Sequence, residues 1–284
     1  MVMLNINGLE RNMATEHLLV TLFNTVFHGW GDLNFFRWKY SNNPFGDSII
    51  QYSKEDDVVV SSRIFMRWSM HDGEEPLRCY QATDSATLVN HRGKGLFKEL
   101  TLSCLEQLEE GDFVFNFPNK NSLPIYLKLG WKNIENIRPW VIPTMNIFSG
   151  KYTITTSGFR QVGTQWSDEL LQWRLANGNT YHVFNLNEQR CITYRLLLVK
   201  GLKVADVIQT PPDLTLTELK RLCRTLCQQG IIAIRYIGLN TSMRSLIENH
   251  ILFKFHYGSG VNFVTKWAPD NTQFRVEMID TDYV

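Results

Sequence analysis

The sequence predicts a mixed α/β protein whose two halves are similar to each other. Its 284 residues exceed the range of about 100 to 200 that is usual for one domain. Hydrophobic residues make up 44% and aromatic residues 12% of the chain, which is enough for sizeable cores. Strand-like and helix-like stretches alternate through both halves, and this alternation predicts the fold class.

The first half begins with a helix and continues into strands. Thr15 is expected to cap a helix whose apolar residues recur at helical spacing, and a second, short helix is predicted over residues 33–40. Strands are predicted over residues 48–53, 58–66 and 80–88, because apolar and β-branched runs there are separated by turn residues.

Two glycines around a lysine follow the third of these strands. Arg92-Gly93-Lys94-Gly95 leads directly into helical spacing. A strand, a glycine turn and a helix bring successive backbone N–H groups to a helix N-terminus, where the helix dipole favours an anion and the missing Cβ atoms allow close approach. The loop is therefore predicted to hold a pyrophosphate, and a purely structural turn is the alternative for a glycine pair alone.

A composition shift divides the chain. A short apolar strand is predicted over residues 113–117 and a helix over residues 122–129. Residues 147–156 are rich in Ser, Gly and Thr and lack regular apolar spacing. This places a boundary between an N-terminal lobe, residues 1–148, and a C-terminal lobe, residues 149–284.

The second half repeats the first in outline. Trp173 and Arg174 echo Trp38 and Lys39, and each pair is followed by a turn and strands, then by a helix, a strand and a further helix. Such a repeated order indicates an internal duplication.

Composition disfavours several classes of function. The net charge of +1 and the lack of a basic stripe argue against a nucleic-acid partner. The apolar runs are far shorter than the ~20 residues of a membrane span, and no secretory signal is recognised. Five scattered cysteines suggest a reducing cytoplasm. Cys223 and Cys227 are expected in the core, and no metal site is expected because no His or acidic partner accompanies them.

Two motifs together resemble the GNAT superfamily of acyl-CoA-dependent N-acyltransferases. The cofactor motif R/Q-x-x-G-x-G/A is matched at Arg92 and Gly95, but Phe97 replaces its last small residue. The second motif, N-x-x-A-x-x-x-Y-x-K-L-G-F, is represented by Asn119, Ser122, Tyr126, Lys128, Leu129, Gly130 and Trp131.

The resemblance implies two lobes, each with a central, mostly antiparallel sheet, flanking helices and a splayed pair of strands. It also implies that acetyl-CoA is the acyl donor and that pantetheine inserts between the splayed strands, which are the strand before Arg92 and the strand over residues 113–117. Backbone groups of Ala86, Thr87 and Leu88 would bind the pantetheine arm and the thioester oxygen. The full set of cofactor-binding residues that it implies is Ala86, Thr87, Leu88, Arg92, Gly93, Lys94, Gly95, Leu96, Phe97, Asn119 and Ser122.

The mechanism that the resemblance implies is direct attack of an amine on the thioester, with an acid for the departing thiolate and a base for the ammonium. Tyr126 is the candidate acid. Asp84 is the first candidate for the base. Asp280 and Asp282 come second, because in tandem relatives such as the N-myristoyltransferases C-terminal groups can reach the reaction centre. For this pair, however, a solvated terminus is expected rather than a site.

The acceptor side is predicted from fewer signals. Trp38, Tyr40 and Asn43 are candidate acceptor contacts, because the family places a variable acceptor loop there, and packing in the core is their alternative. Asp282 is a further candidate contact at the C-terminus.

The second lobe is expected to be degenerate. At the position of the glycine loop it has Thr210-Pro211-Pro212, which lacks glycine and two N–H donors. At the position of Tyr126 it has Ile247, which has no proton to donate. This lobe would close the acceptor side of the cleft.

These expectations describe a cytoplasmic N-acetyltransferase that acts on a primary amine of a small molecule, with an amino sugar or its nucleotide derivative as the first acceptor class. One alternative is a Fem-type aminoacyltransferase that uses aminoacyl-tRNA. Another is a non-catalytic acyl-CoA sensor or assembly module. No oligomeric state is predicted.

Overall fold

The computed structural model describes residues 5–8, 13–146, 148, 161–176 and 178–281. Its helices are α1 (Met13–Phe27), α2 (Leu33–Phe36), α3 (Leu96–Leu105), α4 (Leu123–Lys128), α5 (Asp168–Leu175), α6 (Leu216–Gln228) and α7 (Thr241–His250). A π-helical turn (Arg37–Ser41) continues α2, and 3₁₀ turns cover Val89–His91 and Met278–Asp280.

The strands form two sheets. In chain order they are β1 (Asn5–Gly8), β2 (Ile49–Glu55), β3 (Val58–His71), β4 (Pro76–Thr87), β5 (Phe113–Asn116), β6 (Lys132–Ile137), β7 (Trp140–Pro143), β8 (Gln161–Gly163), β9 (His182–Asn185), β10 (Cys191–Val199), β11 (Leu202–Gln209), β12 (Ala233–Tyr236), β13 (Phe255–His256), β14 (Val261–Lys266) and β15 (Gln273–Arg275). The predicted mixed α/β fold class is confirmed.

The first sheet follows the order β1-β2-β3-β4-β5-β14-β6, with β8 and β15 attached beside β3. Neighbouring strands are antiparallel except in the β4–β5 and β8–β15 pairs. The crossover between β4 and β5 contains the glycine loop and α3. This parallel pair matters for function, because a parallel connection brings the loop after β4 to the same edge as the end of β5.

The second sheet follows the order β13-β7-β12-β11-β10-β9 and has the same arrangement at its centre. Strands β10 and β11 are antiparallel, α6 crosses over, and β12 returns parallel to β11. The halves thus share one order of strands and helices, as an internal duplication predicts. Thr215 caps α6 with a reciprocal bond to Glu218, which is a capping box.

Each sheet contains strands from the other half of the chain, namely β8, β14 and β15 in the first sheet and β7 in the second. Strand β7 leaves the N-terminal half and pairs with β12, whereas β14 leaves the C-terminal half and lies between β5 and β6. The two sheets are consequently joined by chain crossings in both directions. The predicted boundary after residue 148 falls beside residues outside the described set and stays a prediction.

The largest apolar core extends across both halves. It joins Trp68 and Phe115 of the first sheet to Ile208 and Ile237, which adjoin the second sheet. A separate core packs α6 and α7 on the second sheet, and a third lies between α3, α4 and the first sheet. The predicted placement of Cys223 in the core is confirmed, since its side chain is buried. Of the helices described, none is both long enough and apolar enough to cross a lipid bilayer.

The echoed tryptophans of the two halves contact each other. Trp38 Nε1 donates to the carbonyl oxygen of Trp173 at 2.7 Å, and Trp173 Nε1 donates to that of Trp38 at 3.0 Å. Their ring centroids are 5.6 Å apart. Each half therefore supplies the same residue type and the same pair of backbone and indole groups to one reciprocal contact.

Candidate functional site

The site begins where β4 and β5 separate. Their pairing runs only from Cys79 opposite Phe113 to Gln81 opposite Phe115. Beyond it β4 continues to Thr87, and the gap between the strands opens a cavity of about 290 Å³. The predicted splayed pair of strands is thus present, and the cavity lies between its arms.

A β-bulge shapes one arm of this cavity. Ser62 pairs with Ala86 and Ile64 with Thr83, so Arg63 alone lies opposite both Asp84 and Ser85. Asp84 has a positive φ of 33°. Bulges leave one residue out of the ladder and re-aim side chains. Here both Asp84 and Ser85 line the cavity.

Tyr126 projects from α4 into the same cavity. Its side chain is 2% exposed, and its hydroxyl oxygen accepts a hydrogen bond from Arg63 Nη2 at 2.6 Å and one from Asn116 Nδ2 at 2.5 Å. Because the oxygen accepts from both, the hydroxyl hydrogen is left to donate to a further group. This is the arrangement required of a proton donor within the cavity.

Arg63 is a buried cation that the sequence reasoning missed. Its guanidinium carbon lies 5.1 to 5.3 Å from the ring centroids of Phe65, Phe97 and Tyr126, and it also donates to Ser85. A charged residue within the apolar run of β3 was the available signal, since a buried charge requires partners.

Asp84 is held by two neighbours from the segment after α2. Lys39 Nζ lies 2.7 Å from Asp84 Oδ2, and the Tyr40 hydroxyl donates to the same oxygen. The Lys39 and Asp84 side chains are only 5% and 9% exposed. The carboxylate therefore belongs to a nearly buried ion pair at the margin of the cavity.

The glycine loop has the predicted backbone geometry. Gly93 and Gly95 have φ values of 76° and 88°, in the left-handed region that favours glycine, and Gly95 precedes the first residue of α3. The first backbone N–H groups of a helix have no intrahelical acceptor. At this end of α3 they border a second cavity of about 350 Å³, which Arg92 and Lys98 also line.

Phe97 joins the two cavities. Its side chain lines both, and its ring packs at 5.8 Å, edge to face, on Tyr126. The departure from the family motif is thus explained locally, because the ring fills space between Arg63 and Tyr126 instead of covering the loop. The cavity beside the loop and the cavity that contains the Tyr126 hydroxyl are thus neighbours that share the Phe97 side chain.

Sequence comparison identifies the part of the chain that carries these cavities. Residues 12–134 match the family model of the acetyltransferase (GNAT) domain. This part of the chain is a GNAT acetyltransferase domain. The protein is accordingly an acyltransferase, and acyl-CoA is the class of donor that the family implies.

Solved structures share the fold over nearly the whole chain. A probable N-acyltransferase from Enterococcus faecalis has a TM-score of 0.64 at 12% identity, over 93% of this chain and 72% of its own. A GCN5-related N-acetyltransferase from Anabaena variabilis has 0.61 at 11%, over 92% and 72%. Eis1 from Mycobacterium abscessus has 0.59 at 10%, over 92% and 72%. These likenesses show the fold. A search of the curated proteins finds no match.

In the GNAT domain, the backbone after the bulge is largely hydrogen-bonded already. The Ala86 carbonyl accepts from Ser61 Oγ at 3.1 Å, the Thr87 carbonyl accepts from Arg92 Nε at 3.2 Å, and the Leu88 N–H donates to Val60 at 2.9 Å. Thr87 still lines the loop cavity, as does Leu96. We call the cavity that contains the Tyr126 hydroxyl the reaction cavity. The residues of β4 that line it lie earlier in the strand, at positions 82–85.

Asn119 and Ser122 lie at the start of α4 in the GNAT domain. Asn119 Oδ1 accepts from the Asn121 and Ser122 N–H groups at 2.9 and 3.0 Å, so it stabilises the turn that leads into α4. Both side chains also line the reaction cavity. Lys94 is not among the residues that line either cavity, although it lies near Glu55.

The predicted acceptor contacts are engaged elsewhere. Trp38 forms the reciprocal contact with Trp173, Tyr40 bonds Asp84, and Asn43 Nδ2 donates to the Arg67 carbonyl at 2.9 Å. None of these three side chains is among the described residues that line the reaction cavity. Asp282 lies outside the described residues.

Asp280 is buried, so the expectation of a solvated position for it is wrong. Its Oδ1 accepts from Thr164 Oγ1 at 2.6 Å, and Thr164 in turn accepts from Trp68 Nε1 at 2.8 Å. Burial raises the pKa of Asp280. The side chain is not part of the cavity that contains Tyr126, and its described contacts are structural.

The C-terminal segment occupies the corresponding cleft of the second lobe. Leu239 donates to the Val276 carbonyl at 2.7 Å, so the chain leading to Met278–Asp280 lies beside the end of β12. The Glu277 carboxylate accepts from the Thr210 N–H at 3.0 Å and from its hydroxyl at 2.5 Å. Hydrogen-bond donors of the loop after β11 are thus paired with the Glu277 side chain.

Among the described residues, no group of three or more His, Cys, Asp or Glu side chains could hold a metal ion. The buried thiols are poor nucleophiles in this state, since burial raises the pKa of Cys104 and of Cys223 to about 12. The ionisable residues among those described in the wall of the reaction cavity are Arg63, Asp84 and Tyr126.

Proposed function

We propose that the protein transfers an acetyl group from acetyl-CoA to a primary amine of a small molecule by direct attack. The observation that carries the proposal is the Tyr126 hydroxyl, whose oxygen accepts from Arg63 and Asn116 inside a cavity that adjoins the one beside the glycine loop. A proton donor beside a phosphate-binding cavity suits the release of a thiolate.

In the proposed reaction the amine nitrogen attacks the thioester carbon and the C–S bond breaks. The Tyr126 hydroxyl gives its proton to the departing sulfur, and a base takes a proton from the new ammonium. We assign the base to Asp84, which lines the cavity and is ion-paired with Lys39. The C-terminal alternative has less support, because the buried Asp280 faces Thr164.

The thioester oxygen requires donors that strengthen as negative charge develops on it. The bulge at Asp84 and Ser85 supplies backbone outside the regular ladder beside the cavity. We therefore place the oxygen near the bulge, at Asp84 and Ser85, just before the predicted Ala86–Leu88 position. Gly93, Gly95 and the first turn of α3 would bind the pyrophosphate.

The remaining parts of the proposal concern the rest of the chain. We assign residues 1–148 to the catalytic lobe and residues 149–284 to a degenerate lobe that closes the acceptor side. The filled cleft beside Thr210 and the buried Ile247 support this assignment. All five cysteines are free, which fits a reducing cytoplasm. An amino sugar or its nucleotide derivative is the acceptor class to test first.

The test is thiol release from acetyl-CoA over a library of amines, with mass spectrometry of the acetylated products. Gly95→Val should abolish acetyl-CoA binding, because its φ of 88° and the close approach of phosphate both disfavour a branched side chain. Gly111→Val is the matched control, since Gly111 has a φ of 87° but lies outside the cleft.

Acetylation of an amine that is lost with Gly95→Val and kept with Gly111→Val would support the proposal. Undiminished turnover in Gly95→Val would contradict the role of the loop. Tight acetyl-CoA binding without turnover of any amine would instead favour a non-catalytic acyl-CoA sensor.

A further inference from the structure

A third cavity of about 720 Å³, called here the basic cavity, lies between the two lobes. We propose that it binds the anionic end of the acceptor, a carboxylate or phosphate group, while the acceptor's amine reaches the thioester. This inference rests on the proposed function, because it assigns the substrate class to the same cleft. It predicts acceptors that carry an oxyacid group.

The charge of this cavity comes from a row of side chains across the second sheet. Arg195 on β10 lies opposite Asp206 on β11, and Asp206 lies opposite Arg235 on β12. Arg195 Nε is 3.1 Å from Asp206 Oδ2, and Arg235 Nη1 is 3.5 Å from Oδ1. One carboxylate thus orients two guanidinium groups on one face of the sheet.

The carboxylate lies behind the arginines, away from the cavity. Asp206 is fully buried, whereas the Arg195 and Arg235 side chains are 21% and 30% exposed. Among the described residues that line the cavity, the ionisable ones are Lys120, Arg195 and Arg235, all cationic. Guanidinium groups bind carboxylates and phosphates through paired N–H donors, so this wall suits an oxyanion.

The basic cavity adjoins the reaction cavity. Pro118 and Asn119 line both of them, one on each side of the segment that leads from β5 to α4. From Asn116, which contacts Tyr126, to Asn119 is three residues, or roughly 10 Å of extended chain. A small amine with its acid group several bonds away would span this distance.

The opposite wall of the basic cavity is polar but uncharged. Asn136 and Asn262 line it, and Asn136 Nδ2 donates to Asn262 Oδ1 at 2.8 Å. Asn262 also donates to the Pro118 carbonyl at 3.2 Å, which fixes the segment shared by the two cavities. Amide groups on this side could orient hydroxyl or amide groups of the acceptor.

The test compares amines that differ only in the anionic group. Two pairs serve, glucosamine with glucosamine 6-phosphate and 6-aminohexanoamide with 6-aminohexanoate, assayed by thiol release at saturating acetyl-CoA. We expect the anionic member of at least one pair to have a kcat/KM at least tenfold higher. The phosphate and carboxylate pairs distinguish the two kinds of acid.

Replacing Arg235 alone would take one partner from the buried Asp206 carboxylate, so the test variant replaces both residues. Asp206→Asn/Arg235→Gln removes one carboxylate and one guanidinium together, and Asp206→Asn alone controls for loss of the carboxylate. Arg138→Gln is the matched control, because Arg138 is exposed and does not line the cavity. We expect only the double variant to lose at least tenfold in kcat/KM for the anionic amine, with the neutral amine unchanged.

Direct binding separates this proposal from the proposed function. Titration calorimetry with glucosamine 6-phosphate and with 6-aminohexanoate should give heat for the wild type and at least tenfold weaker binding for the double variant. If no amine is acetylated but this binding difference holds, the transfer reaction is refuted and the anion site stands. Equal kcat/KM within both pairs, or binding that the double variant leaves unchanged, would overturn the inference.

Discussion

Arg63 connects the bulge in β4 to the proposed proton donor. It donates to Tyr126 at 2.6 Å and to Ser85, and three aromatic rings surround it. Because a hydrogen bond to a buried charged group contributes about 1.5 to 3 kcal/mol, this contact can hold the phenol in one orientation. Arg63 is thus a positioning residue in the proposed reaction.

Tyr126→Phe is expected to lower kcat by about 10² or more, since general acid catalysis contributes about that much, with little change in acyl-CoA affinity. When Tyr126 is present, Arg63→Lys should lower kcat by about tenfold. In the Tyr126→Phe background it should have little effect, because both changes act through one proton donor. Steady-state kinetics of the four proteins measure this coupling, and independent effects would refute the positioning role.

Asp84 has two possible roles that a single substitution cannot separate. Asp84→Asn removes the carboxylate that pairs with the nearly buried Lys39, and breaking a buried pair costs about 3 to 5 kcal/mol. Lys39→Met/Asp84→Asn should recover most of that free energy of unfolding. If Asp84 is the base, this double variant should stay inactive at neutral pH. Denaturant unfolding and pH–rate profiles decide, and a stable, active double variant would exclude the base.

Glu277 makes stability depend on pH. Burial raises its pKa to about 7 from an ordinary value of 4.5, so the folded chain binds the proton more tightly than the unfolded chain. Its contribution is complete below about pH 4.5 and is lost as pH rises through about 7. Between pH 5 and 8 the wild type should lose up to about 3 kcal/mol relative to Glu277→Gln. Denaturant titrations measure this, and parallel pH curves would contradict it.

At the scale of elements, the turn after α2 and the helix α5 hold the halves together. Trp38 and Trp173 exchange two hydrogen bonds there, and Arg174, which follows, is buried and donates to the Ile279 carbonyl at 3.0 Å. The contact joins the helical segment that precedes the first sheet to its counterpart, α5, in the second half of the chain. We interpret Trp38 as a structural residue on this evidence.

Trp38→Phe discriminates between packing and acceptor binding. The ring is kept and the indole donor is lost, so the free energy of unfolding should fall by about 1 kcal/mol. The KM for the acceptor should not change, because Trp38 does not line the reaction cavity. Calorimetry and steady-state kinetics give the two values. A raised KM with unchanged stability would return Trp38 to the acceptor contacts.

The second cleft shows how one element can lose a ligand site. In the GNAT domain the gap between β4 and β5 is an open cavity. The corresponding gap between the ends of β11 and β12 contains the segment from Val276 to Asp280. Asn240 Nδ2 also donates to Thr210 Oγ1 at 2.8 Å, so the loop after β11 is satisfied within the protein. Glycines and free N–H groups would have no function there.

At the scale of the whole molecule, the exchange of β7 and β14 joins the two sheets. Without β14, β6 has no partner in the first sheet, and without β7, β13 has none in the second. The largest core also draws residues from both halves. Stability should therefore belong to the complete chain.

Fragments 1–148 and 149–284 test this directly. Expressed separately, each should be poorly folded, because it would expose unpaired strands and part of the shared core. Expressed together, they should associate and regain the circular dichroism and cooperative unfolding of the intact chain. Analytical ultracentrifugation and thermal scans measure both outcomes. Two separately stable fragments with independent transitions would show that the exchanged strands contribute little.

The fold class, most element positions and the glycine loop before α3 could be predicted from the sequence alone. These features depend on local physics, since strand and helix periodicities and the left-handed φ of Gly93 and Gly95 involve residues close together in the chain. Its motif spacing also pointed to Tyr126. The roles of Tyr126, Asp84 and the cofactor-binding residues stay predictions until activity is measured.

The groups that surround these residues could not be predicted, because they come from distant parts of the chain. The partner of Tyr126, Arg63, lies 63 positions away, and Trp38 meets Trp173 across 135 positions. Such contacts depend on strand register and on the exchange of β7 and β14, which no local pattern specifies. The same holds for the burial of Asp280 and for the row from Arg195 to Arg235. Residues distant in sequence converge there because the sheet aligns them.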